Sequence, residues 1–202
     1  MFRNLPRTAV LSLAGLQSGL WTTGAATAVM TPSLAKRNLS AVAPDVLQAP
    51  DWDLVESASR LRIDGIKILH LFGEVMDFDG NPIPNARIDI WQAGPDGSYR
   101  DADLPTTSAF RGFGSAITDD LGHFMFRTIL PIAYGNKAPH IHARVSRPRG
   151  RTLETRIYLV DAPENDRDWH YGSLGPSQQA ALSIDPVERH DGDLEAGFNF
   201  VV

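Results

Sequence analysis

The chain has 202 residues, of which 43% are apolar and 21% charged, the composition of one folded domain with tails rather than of a disordered segment. Its formal net charge of -5 argues against a nucleic-acid partner. The absence of cysteine excludes disulfides, iron–sulfur clusters and thiolate zinc sites.

Residues 1–28 stand apart from the rest. Arg3 and Arg7 are the charged side chains there, an apolar run extends from Ala9 to Trp21, and Ala26-Thr27-Ala28 has a small-x-small form. The pattern reads as a secretory signal peptide, which implies export to the periplasm or beyond. The alternative is a disordered amino-terminal arm of a cytoplasmic enzyme. No later stretch is long and apolar enough to span a membrane, so no membrane partner is expected. Residues 29–60 contain proline and show little periodicity, as expected of an extended arm lying over the core surface.

Residues 61–202 carry the strand signals. Ile66 to Met76 forms one run, closed by a turn over Asp77–Gly80, Asn81 and Pro82. Ala86 to Trp91 alternates small or apolar residues with polar ones, the period of a half-buried strand. Thr118 to Gly122 reads as a turn, and His123 to Ile129 as the strand after it. Ile141–Val145 and Thr155–Val160 are two more, and Gly197–Val202 closes a sheet. Pro176 to Leu182 supplies one or two helical turns beginning near Ser173 or Gly175. These signals predict a mainly β fold, an antiparallel β-sandwich with short helical and loop excursions.

Pro139-His140-Ile141-His142 concentrates the chemistry. On a strand, alternate residues share a face, so His140 and His142 point the same way. Tyr134 lies six residues before the first histidine, and Tyr99 further upstream. Two imidazoles and two phenols meeting at one point suit a trivalent iron ion, because phenolate is a hard anionic donor and iron accepts imidazole. A phenol with an ordinary pKa of about 10 needs a strong Lewis acid to stay ionised at neutral pH.

Several further segments appear in a recognisable order. They run from Gly73-Glu74-Val75-Met76-Asp77 to Pro84-Asn85-Ala86, then Ile90-Trp91-Gln92-Ala93 and Gly97-Ser98-Tyr99-Arg100. Phe110-Arg111-Gly112-Phe113-Gly114, Thr118-Asp119-Asp120, Phe126-Arg127-Thr128-Ile129, Pro131, Tyr134 and the histidine pair follow. This ordered set resembles the intradiol ring-cleavage dioxygenases, in a compact form without the amino-terminal helical domain of the catechol branch. The resemblance implies ferric iron, Fe(3+), held by Tyr99, Tyr134, His140 and His142, with Tyr134 and His142 axial. It implies a catechol-type substrate and O2, ring cleavage between the two hydroxyl-bearing carbons, a muconate-type diacid as product, and Tyr134 as departing ligand and base. Members of the family commonly associate, which leaves a homo-oligomer open.

Two positions depart from the family pattern. The family's arginine three residues before the first histidine is replaced by Lys137, which keeps the charge and loses the planar fork. The family's glutamine after the histidines is replaced by Arg156, which is expected to take over the guanidinium role. Arg111, His70, His123, His170 and His190 read as structural or surface residues, Tyr158 as core, and Tyr171 as loop packing. The Gly73 to Ala86 segment also resembles the hairpin of transthyretin-like and carboxypeptidase-regulatory-like modules, so a non-enzymatic β-sandwich binding module is the competing reading. The tyrosine and histidine quartet favours the enzyme.

Overall fold

A computed structural model describes residues 30–34, 50–99 and 109–202 of the chain. The signal read over residues 1–28, much of the arm read over 29–60, and Arg100 lie outside the described residues. In chain order the elements begin with α1 (Ala58–Ile63), β1 (Ile68–Met76), β2 (Arg87–Trp91), β3 (Phe113–Ile117), β4 (His123–Ile129), β5 (His140–Ser146) and β6 (Leu153–Leu159). A 3-10 turn (Pro163–Arg167), α2 (Trp169–Gly172), α3 (Pro176–Ala181), β7 (Ser183–Ile184), β8 (Val187–Glu188), β9 (Leu194–Gly197) and β10 (Phe200–Val201) complete them.

Among the described residues two five-stranded sheets enclose the core. In the first, β1 pairs antiparallel with β4 on one side and parallel with β9 and then β10 on the other. The second runs β3-β2-β5-β6-β7, antiparallel except for the parallel β6–β7 pair. The expected sandwich is therefore present, with mixed rather than wholly antiparallel sheets. The parallel pairs join segments far apart in the chain, where long connections remove the need for a hairpin. Among the described residues, no helix is long and apolar enough to cross a membrane.

Strand alternation builds the core. Leu69, Leu71 and Val75 of β1 and Phe124 and Phe126 of β4 meet Ile88 and Ile90 of β2 and Ile141, Ala143 and Val145 of β5. Burying an aliphatic or aromatic side chain of this size contributes about 1.5–3 kcal/mol.

Residues 51–56 bridge the edge strands of the two sheets. Leu54 is wholly buried; its N–H donates to the Arg127 carbonyl and its carbonyl accepts from Arg111 N–H. Ser115 N–H donates to the Asp51 carbonyl. Gly114 on β3 makes this approach possible, since a Cβ there would lie 2.8 Å from the Asp51 carbonyl oxygen. Arg111 binds Asp51 at 2.6 Å and Glu56 at 3.1 Å, the structural role expected of it. Helix α1 was not signalled by the sequence and runs across residue 60, where the arm was expected to end.

Candidate metal centre

The site lies on the face of β5 turned away from the sandwich core. Ile141, Ala143 and Val145 enter the core; His140, His142 and Arg144 take the opposite face. His140 and His142 are nevertheless only 2% and 1% exposed. In the register of the sheet, Trp91, His142 and Arg156 form one row across β2, β5 and β6, and Tyr158 lies opposite His140.

Each tyrosine arrives on a turn. Tyr99 follows the turn after β2, in which Gly94 N–H donates to the Ser98 carbonyl at 2.8 Å and Asp96 accepts from Ser98 N–H at 3.1 Å. Gly97 in that turn has φ +77°, and a Cβ there would already stand 3.3 Å from the Tyr134 Cβ. A glycine both adopts that backbone angle readily and lets the two tyrosine segments pack together. Tyr134 opens a turn closed by Lys137, whose N–H donates to the Tyr134 carbonyl at 2.9 Å.

These turns bring four predicted residues together. Tyr99 Oη lies 2.9 Å from Tyr134 Oη, 3.1 Å from His142 Nε2 and 3.5 Å from His140 Nε2. The two Nε2 atoms are 3.2 Å apart. Donors this close together could be shared by one ion with bonds of about 2.1 Å. Among the described residues there is no group of three or more His, Cys, Asp or Glu that could hold a metal ion, so a centre here requires the tyrosines.

The electrostatics fit the same purpose. Burial lowers the pKa of His140 to about 4 and takes His142 well below the usual histidine range, so both rings are neutral at pH 7. Burial, together with the hydrogen bond between the phenols, raises the pKa of Tyr99 far above its ordinary value; burial also raises Tyr134. The phenols thus stay protonated unless a strong Lewis acid displaces their protons. A hard trivalent cation is the partner this donor set suits.

Neighbouring side chains hold the rings. Trp91 stacks on His142 with centroids 4.9 Å apart and planes 3° from parallel, and the Arg144 guanidinium lies 5.7 Å from the Trp91 ring centre. The His140 Nδ1–H donates to the Ala138 carbonyl at 2.7 Å, which leaves Nε2 free to act as a ligand. Tyr158 is fully buried, as expected, yet it faces the site, with its ring 5.7 Å from His140 and 4.9 Å from Tyr171.

The two substituted positions differ in character. Arg156 is 4% exposed, forms no ion pair among the described residues, and leaves Nε and Nη1 buried without a hydrogen-bond partner. Its charge also acts on Tyr99, Tyr134, His140 and His142. Lys137 is half-buried on the Tyr134 turn. Of the other histidines, His70 binds Asp193 at 3.2 Å, His123 is exposed, and His170 sits on α2 within the field of Arg156 and Lys137. No motif in the sequence marks Asp168, a buried carboxylate that caps α2 and accepts the Ala138 N–H at 3.0 Å.

A family model described as "Dioxygenase" matches residues 50–201. Catechol 1,2-dioxygenase of Acinetobacter baylyi is 35% identical over 143 residues, covering 61% of this chain and 44% of that protein. The solved structure of catechol 1,2-dioxygenase from Acinetobacter sp. ADP1 superposes with a TM-score of 0.59 at 28% identity, over 73% of this chain and 55% of the other. The dioxygenase domain of a dioxygenase carbohydrate-binding protein fusion from Streptomyces sp. SirexAA-E shares the fold, with a TM-score of 0.64 at 24% identity, over 86% of this chain and 98% of that one. The chain thus spans about half the length of the catechol enzymes it matches. From its match over most of its length, the chain belongs to the intradiol ring-cleavage dioxygenases.

Proposed function

We propose that this protein is a non-haem iron(III) dioxygenase. It opens a catechol-type ring between the two hydroxyl-bearing carbons with O2 and releases a muconate-type diacid. The observation that carries this reading is that Tyr99 Oη stands 2.9–3.5 Å from Tyr134 Oη, His142 Nε2 and His140 Nε2, with the two Nε2 atoms 3.2 Å apart. Tyr99, Tyr134, His140 and His142 would hold the iron. When bound, ferric iron supplies the Lewis acidity that keeps phenolates ionised and makes a chelated diol reactive toward O2.

The chain's own residues account for the remaining steps. Tyr134, on a half-exposed turn, would be ionised only with the ion bound, and would then be the base that takes a proton from an incoming diol hydroxyl. Tyr99 receives the Tyr134 hydrogen bond at 2.9 Å or returns it, so the phenol pair holds that proton inside the site. Arg156, beside His142 with two unpaired guanidinium nitrogens, offers donors to negative charge on the bound ring. Lys137 adds positive charge from the Tyr134 turn and favours entry of an anionic ligand. Trp91 and Tyr158 flank the imidazoles and keep water from the histidine side.

The experiment is a panel of catechol, hydroxyquinol and carboxylated catechols, followed by oxygen uptake and product identification on the iron-loaded protein. Uptake with one O2 consumed per ring-opened diacid is expected. Tyr134→Phe and His142→Ala should each abolish turnover; retained turnover would refute the ligand assignment. We also propose export with cleavage after Ala28; the mass of the protein recovered from the periplasm or medium of its own host tests this, and an intact Met1 terminus contradicts it.

A further inference from the structure

Asp168 is 1% exposed and has no ion-pair partner among the described residues. A carboxylate in that position is costly unless its oxygens are hydrogen-bonded. Oδ1 accepts from His170 N–H at 2.8 Å and Tyr171 N–H at 3.4 Å, an ordinary helix cap. Oδ2 does something a cap does not require: it reaches back thirty residues to accept the Ala138 N–H at 3.0 Å.

Ala138 is the residue on which two parts of the site turn. It directly follows the Tyr134–Lys137 turn, and its carbonyl accepts the His140 Nδ1–H at 2.7 Å. A carbonyl can only accept, so this bond places the imidazole proton on Nδ1 and leaves the Nε2 lone pair facing the cluster. Nε2 then stands 3.2 Å from His142 Nε2 and 3.5 Å from Tyr99 Oη. Pro139 fixes the backbone between the carbonyl and the ring it binds.

We propose that Asp168 is a positioning residue for the metal centre, holding Ala138 so that its carbonyl selects the His140 tautomer and aims Nε2. The relay runs from carboxylate to backbone N–H, through one residue, and from backbone carbonyl to imidazole. Ligating histidines elsewhere depend on such a partner for ring orientation, and losing it weakens metal binding by about 10–100-fold. The effect on metal affinity rests on the iron reading above, whereas the tautomer does not.

Asp168→Ser separates the two duties of the carboxylate. Serine is a good helix cap but too short to reach Ala138. Ser173→Ala is the converse control: it removes the 2.7 Å bond from Ser173 Oγ to the His170 carbonyl and leaves the Ala138 contact in place. Imidazole nitrogen NMR of the metal-free protein should show His140 protonated on Nδ1 in the wild type and in Ser173→Ala. In Asp168→Ser it should show a mixture of tautomers. Ferric iron affinity, measured by competition with a chelator, should fall about 10–100-fold in Asp168→Ser and hold in Ser173→Ala. Asp168→Thr, also a helix cap, also too short to reach Ala138 and suited to the same measurements if the serine variant does not fold, should shift both in the same direction. A folded Asp168 variant with the wild-type tautomer and wild-type iron affinity would overturn the proposal. Failure of the wild type itself to bind iron would instead overturn the proposed function, leaving the tautomer measurement to decide the role of Asp168.

Discussion

His142 and Arg156 are direct cross-strand partners on β5 and β6, so a neutral imidazole and a buried guanidinium share one face of the sheet. The guanidinium acts on the Tyr158 hydroxyl, but Nε and Nη1 make no hydrogen bond of good geometry. A buried cation in this state destabilises the protein unless a ligand supplies the missing acceptors. Arg156→Met should therefore raise the melting temperature of the metal-free protein by a few degrees, about 1 kcal/mol or more. The same change should lower turnover by roughly 10- to 1000-fold, far more than it lowers bound iron. Calorimetry, iron analysis and oxygen uptake on the two proteins check this; unchanged turnover would remove Arg156 from the reaction.

Asp193 ties the α1 region to the first sheet. Burial raises its pKa, but hydrogen bonds from Arg62 at 2.7 Å and His70 at 3.2 Å outweigh that and hold the carboxyl below its ordinary value. The stabilisation is complete above the ordinary aspartate pKa of about 3.9 and is lost as pH falls through the lower folded value. Asp193→Asn should cost about 2 kcal/mol at pH 7, with the gap between variant and wild type constant down to about pH 5 and shrinking below pH 4. Urea unfolding across that range measures the gap; a gap that widens in acid contradicts the assignment.

Leu54 tests whether residues 51–56 belong to the fold or merely drape over it. The side chain is fully buried, and its backbone links Arg127 of β4 to Arg111 before β3. Leu54→Ala should destabilise by about 2–5 kcal/mol through lost burial and a residual cavity. A loss under about 1 kcal/mol in chemical denaturation would mean that the segment packs loosely.

The parts legible in the sequence are those with local signals. The expected His123–Ile129 strand coincides with β4, because its alternation is regular and both turn ends carry breakers. The histidine pair needed only its period of two and a strand beneath it. β3 gives no clear strand signal because Gly114-Ser115-Ala116 separates its two bulky residues, Phe113 and Ile117; the small Gly114 admits Asp51 and Leu54, a contact no local pattern announces. α1 is too short and too weakly amphipathic to read, with Leu61 as its buried residue. Asp168 escaped notice for a related reason: its capping of a four-residue helix is faint in sequence, and its bond to Ala138 spans thirty residues. Tyr158 reads as core from its apolar strand, and the fold adds that its ring faces His140.

Iron loading followed by visible spectroscopy tests the central claim most directly. The protein, loaded anaerobically and oxidised in air, should bind one ferric ion per chain and show a broad tyrosinate charge-transfer band, red to burgundy in colour. The band should weaken and shift in Tyr99→Phe and Tyr134→Phe and move again when a catechol is added without oxygen. A loaded wild-type protein that stays colourless, or a band untouched by both tyrosine substitutions, would contradict a single iron held by these four side chains.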